Sequence, residues 1–91
     1  MSFEEKYPLL YNSFLVCFVD ADLLGQEDED VVKLYMNQVT QEEIINTKRE
    51  LDELIPNIHL YWKEVGEDAN RWFENENDAL NWLNMIKKEM N

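Results

Sequence analysis

Two glycines, two prolines, one cysteine and one histidine are all that this 91-residue chain holds of those four residue types. A sandwich or barrel needs a turn about every 8–12 residues, and four turn-formers do not supply them, which excludes an all-β fold. The lone Cys17 excludes an internal disulfide, and with Val16 and Phe18 beside it the thiol is expected to be buried and inert. Long apolar runs are missing too. The longest, Phe14 to Val19, falls far short of the roughly 20 residues that span a bilayer, and it lacks the basic flank and cleavage site of a secretory leader. A reducing cytoplasm and no membrane partner are the expectations. No repeat and no low-complexity tract is visible. Basic residues are scarce, 8 against 20 acids for a net charge of −12. Such a chain repels phosphate backbones, which excludes direct nucleic-acid binding through counterion release and favours a basic partner instead.

What is present is enough apolar material for one core: 45% of residues are hydrophobic and 31% charged. The length fits one domain, residues 1–91. Pro8 suits the first turn of a helix, and Tyr7, Leu10, Tyr11, Phe14 and Phe18 follow at helical spacing. Leu9, Leu15, Val16 and Val19 fill most of the remaining circumference, so this helix should lie at the centre. Asp20 to Asp30 reads as an acidic loop around Gly25, and Val31, Leu34, Tyr35 and Val39 mark a second helix that Asp28 or a neighbouring acid could cap. Thr40-Gln41-Glu42-Glu43 has the capping-box form and starts a third helix with Ile44, Leu51, Leu54 and Ile55 on one face. Pro56 should end it. Asn57 is the expected cap of a short fourth helix facing inward with Ile58, Tyr61, Trp62 and Val65, and Gly66 the expected left-handed residue past its end. Asn75 or Asn77 would cap a fifth helix carrying Ala79, Trp82, Leu83, Ile86 and Met90. The expected fold is all-α, a compact bundle of about five short helices around a central apolar one.

Catalytic chemistry finds little to stand on. A Cys17/His59 dyad would need an exposed, ionised thiol on an apolar helix. Asp20, Asp22, Gly25 and Asp28 match the first, third, sixth and ninth places of a calcium loop, but Leu24 and Val31 stand where two further oxygen ligands belong. No phosphate loop, zinc spacing or dinucleotide fingerprint occurs. No enzyme, no metal and no cofactor are expected. The acids are unevenly placed: Asp20, Asp22, Glu27, Asp28, Glu29 and Asp30 stand with no base among them, and Glu64, Glu67, Asp68, Glu74, Glu76 and Asp78 with Arg71 alone. Tyr61, Trp62, Trp72 and Phe73 lie in or beside the second stretch. Aromatics usually serve a core, but one left exposed among acids has the makings of a hot spot for a basic protein.

The opening Lys6-Tyr7-Pro8-Leu9-Leu10-Tyr11-Asn12, the stretch Asp28-Glu29-Asp30-Val31-Val32, and Gln41-Glu42-Glu43 through Glu50-Leu51-Asp52-Glu53-Leu54 resemble the small helical immunity proteins of bacterial contact-dependent growth inhibition systems. Gly66 to Phe73-Glu74-Asn75 and Asn81-Trp82-Leu83 fit as well. The likeness runs along nearly the whole chain in order, in short pieces, none of them a catalytic signature. It implies a cytoplasmic protein that binds the toxic C-terminal domain of a cognate effector, in many such systems a basic nuclease, and blocks it by forming a stoichiometric complex; a monomer is assumed. The steering surface expected on that basis is Asp20, Asp22, Asp28, Glu29 and Asp30, with Glu67, Asp68, Glu74, Glu76 and Asp78 as a second block and Trp72 as the anchor. An acidic adaptor or nucleic-acid mimic for another basic protein is the alternative.

Overall fold

Ser2 opens the chain's first helical turn, its hydroxyl oxygen accepting the Glu5 N–H at 3.3 Å. In the computed structural model, which describes residues 2–91 and all side chains among them but that of Asp22, this turn is α1 (Phe3–Lys6). Tyr7, at φ −129° and ψ 64°, breaks it, because the ring of a following proline disfavours helical backbone in the residue before it. The helix resumes at Pro8. Its next turn, Leu10–Phe14, is wound wide, with the Leu15 N–H donating to the Leu10 carbonyl at 2.9 Å, and it continues as α2 (Val16–Leu24).

The start of this long helix has a cap that comes from elsewhere in the chain. Glu50 accepts the N–H groups of Leu9 and Leu10, each at 3.1 Å, and so satisfies two of the donors that a helix start leaves open. Gly25, at φ +69°, ends α2. Asp20 is therefore helical and not part of a loop, and the connection is only Gly25 to Glu27. No helix breaker precedes Gly25, and the buried Ala21 ties this turn to the core.

α3 (Asp28–Gln38) starts without a side-chain cap, so the expected capping by Asp28 does not occur. α4 (Gln41–Leu54) is capped as expected, Thr40 Oγ1 accepting the Glu43 N–H at 3.1 Å. α4 ends ahead of Pro56 as expected, and Pro56 sits in a 3₁₀ turn, Ile55–Asn57, that leads directly into α5 (Ile58–Ala69). Asn57 accordingly makes no cap for α5. Its amide donates back to the Glu53 carbonyl at 3.0 Å.

Gly66 also differs from expectation, being inside α5 and buried. A Cβ there would stand 2.9 Å from the Arg71 carbonyl oxygen and 3.2 Å from the Phe73 ring. The position is kept for close approach and not for a left-handed turn. Asn70 takes the left-handed conformation instead, at φ 55°, a residue type whose short polar side chain tolerates it. The Arg71 N–H to Gly66 carbonyl bond at 2.8 Å and the Asn70 N–H to Glu67 carbonyl bond at 3.3 Å close the helix end. Asn75 caps α6 (Glu76–Met90), accepting the Asp78 N–H at 3.1 Å, while Asp78 accepts the Glu74 N–H at 3.0 Å.

The fold is all-α, with no strand among the described residues. Residues 7–24 supply its centre: Tyr7, Leu10, Phe14, Leu15 and Phe18 are all but fully enclosed, by Val32 and Tyr35 of α3, Leu51 and Leu54 of α4, Val65 of α5 and Leu83, Ile86 and Met90 of α6. Each such side chain contributes about 1.5–3 kcal/mol by leaving water. Buried Thr47 donates to the Glu43 carbonyl at 2.8 Å and so accepts from the Tyr35 hydroxyl at 2.9 Å. The apolar circumference of residues 7–24 is not closed, however. Val16, Val19 and Leu23 face outward.

Candidate protein-binding surface

Arg71, the single base of the second acidic stretch, is held by the first. Its Nη2 lies 2.5 Å from Asp28 Oδ1, and Trp82 Nε1 donates to Asp28 Oδ2 at 2.7 Å. The guanidinium also stands 5.5 Å from the Phe18 ring centroid, and Trp82 meets both Phe18, at 4.9 Å edge to face, and Phe73, at 5.7 Å. Burial alone would raise the Asp28 carboxyl, but the bonds from Arg71 and Trp82 and the Arg71 charge outweigh it and hold it below 3.8. α2, α3, α6 and the segment after α5 thus share one half-buried knot.

That knot fixes the path of residues 71–73. Phe73 is turned inward onto Trp82 and Gly66, and Trp72 is turned out, 88% exposed. Beside it runs a groove of about 560 Å³, walled by Trp62, Lys63 and Glu67 of α5 and by Arg71, Trp72 and Glu74, with Gly66 and Phe73 in its lining. Lys63 Nζ sits 5.5 Å from the Trp62 ring, so the Trp62 indole has a cation, whereas among the described residues none is recorded over that of Trp72.

The expected steering acids separate into those that are free and those with structural duties. Asp28 is committed to Arg71 and Trp82, and Asp78 to the start of α6. Asp20 and Asp30 are exposed and Glu29 half-buried, and Glu27, outside the expected set, is exposed as well; none is in an ion pair with a described residue. The Asp22 side chain lies outside the described residues. Glu67 and Glu74 line the groove. Glu76 does not; it borders a separate hollow with Ile55, Pro56 and His59. Asp68 is half-buried, and its carboxyl is pushed up by burial and then by Glu67, Glu64 and Glu4. Such crowding is relieved by a cation brought near. The Asp28–Arg71 pair joins the two acidic stretches, so the start of α3 and the Trp72 loop belong to one side of the molecule.

Cys17 is half-buried, not fully enclosed, and its thiol donates to the Ser13 carbonyl at 3.2 Å. The calcium-loop arrangement is not formed, since Asp20 to Leu24 are helical. Among the described residues no group of three or more His, Cys, Asp or Glu side chains is placed to hold a metal ion, and no helix is long and apolar enough to cross a membrane. Sequence reasoning missed the tertiary roles of Glu50 and Arg71; a lone base inside an acidic stretch was the signal for the latter. No protein-family model matches the chain, and no curated protein or solved structure matches it either.

Proposed function

We propose that this chain is a stoichiometric inhibitor, an immunity protein that binds a basic toxin domain, in the first instance a nuclease delivered by a neighbouring cell, and blocks it in the cytoplasm. The observation that carries this reading is Trp72, 88% exposed at the rim of a groove with Glu67 and Glu74 in its walls. A tryptophan buries about 150–250 Å² when covered, and few residue types contribute as much to an interface. Holding it in water has no benefit for the fold.

The acids supply the other half. A net charge of −12, with Asp20, Glu27, Glu29 and Asp30 unpaired among described residues, steers a basic domain toward the molecule and raises the association rate to about 10⁸ M⁻¹s⁻¹ or more at low salt. Nuclease domains present basic clefts to phosphate, and the same clefts accept carboxylates. Inhibition by occupation needs no turnover and no catalytic residue of its own.

Co-expression of the chain with its proposed cognate toxin domain, followed by titration of the purified pair, tests this. A one-to-one complex that loses nuclease activity supports it, and an active toxin that leaves the folded chain unbound refutes it.

A further inference from the structure

The outward face of α2 is a second, independent candidate. Val16, Val19 and Leu23 stand at i, i+3 and i+7 and therefore form one stripe. They are 45%, 39% and 85% exposed, and Leu24 at the helix end is 73% exposed. Phe18, Phe14 and Ala21 hold the opposite side of the helix in the core, so the stripe cannot turn inward. Scattered single apolar residues are ordinary on a surface, but a run of them along two turns of one helix is the mark of a contact site.

Charge decides what the site takes. Asp20 lies within the stripe, one turn from both Val16 and Leu23, and Glu27 and Asp30 follow close beyond Gly25. Between Lys6 and Lys33 the chain has no base. A second copy of this chain would bring the same acids against these and is opposed by like charge. A helix with an apolar stripe and flanking lysines or arginines satisfies both features at once, its apolar side chains on Val16 and Leu23 and its cations on the carboxylates.

We infer that the outer face of α2 docks a basic amphipathic helix of a partner protein. This goes beyond the Trp72 groove and holds for any partner of that chemistry, toxin or not.

The test uses the full chain and three fluorescein-labelled 18-residue helical peptides: one of leucine and lysine in amphipathic order, one with the same leucines and glutamate for lysine, and one with the lysines kept and the leucines replaced by serine. Fluorescence anisotropy gives the affinities, and ¹⁵N amide spectra of the chain locate the contact. The leucine–lysine peptide should bind at least about tenfold more tightly than either of the others, with shifts centred on Val16 to Leu24. The double variant Val16→Ser with Leu23→Ser should lose about tenfold in affinity with unchanged thermal unfolding. Equal binding of the leucine–lysine and serine–lysine peptides, shifts that avoid α2, or full affinity in the double variant would each overturn the inference. Failure here leaves the immunity reading standing, since that is decided separately by titration with the toxin domain.

Discussion

Asp28 and Arg71, 43 positions apart in sequence, are joined by a charge-assisted bond of 2.5 Å with both side chains about one-fifth exposed. The bond lies on the path from the fold to its proposed function. Trp72 directly follows Arg71, so the residue that anchors the second acidic stretch to the first also sets the indole at the surface.

Asp28→Asn should lower stability by about 1–2 kcal/mol in urea unfolding, because the charge-assisted bond to Arg71 in a half-buried place is replaced by a neutral one. The wild-type carboxyl is held below 3.8 in the folded chain. Its contribution is therefore complete well above that value and is lost as pH falls through the folded-state value. The gap between wild type and variant should be constant near neutral pH and close only in strong acid.

Glu50 should show the opposite slope. Burial pushes its carboxyl above 4.5, the N–H groups of Leu10 and Leu9 pull it back without overcoming this, and Glu53 adds to the rise. The folded chain then binds more protons than the unfolded one just above 4.5, and stability contributed by this group grows as pH falls toward that value. Urea midpoints of wild type relative to Glu50→Gln should accordingly rise on mild acidification. Glu50→Ala, which leaves the Leu9 and Leu10 amides without their cap, should cost about 1–2 kcal/mol at neutral pH.

Gly66→Ala separates the two explanations of that glycine. In an unconstrained helix interior the change is stabilising by about 0.5–1 kcal/mol. Here the new methyl would meet the Arg71 carbonyl at 2.9 Å, a backbone atom that has to shift, and a loss of about 1–3 kcal/mol in thermal unfolding is expected.

Cys17 should react slowly with a thiol reagent at pH 8. Burial and the nearby Asp20 both push the thiol up, which depletes the thiolate that reacts. Labelling should accelerate sharply in denaturant.

How far the sequence could be read depended on whether a signal was local. Thr40 and Asn75 cap their helices as their spacing suggests, and the stripe Ile44, Leu51, Leu54 is buried as helical periodicity requires. Asn57 and Gly66 misled because each residue type serves two ends: an asparagine amide can close the preceding helix as well as open the next, and a glycine can give room as well as a left-handed turn. Glu50 and Asp28 act on partners about 40 residues away, and no periodicity reports such bonds. The exposure of Trp72 belongs to the same class. Only the packing of Phe73 onto Trp82 shows which of two adjacent aromatics is left outside.

The most direct measurement is calorimetric titration of the proposed cognate toxin domain with wild type and with Trp72→Ala, at low and moderate salt. An 88% exposed side chain can be removed with a change in fold stability within about 0.5 kcal/mol. One-to-one binding that weakens with salt, and that weakens at least about tenfold in the variant, is the result expected of an immunity protein anchored by this indole. Binding of equal strength in both proteins would remove Trp72 from the interface, and absence of binding with both proteins folded would contradict the proposed function itself.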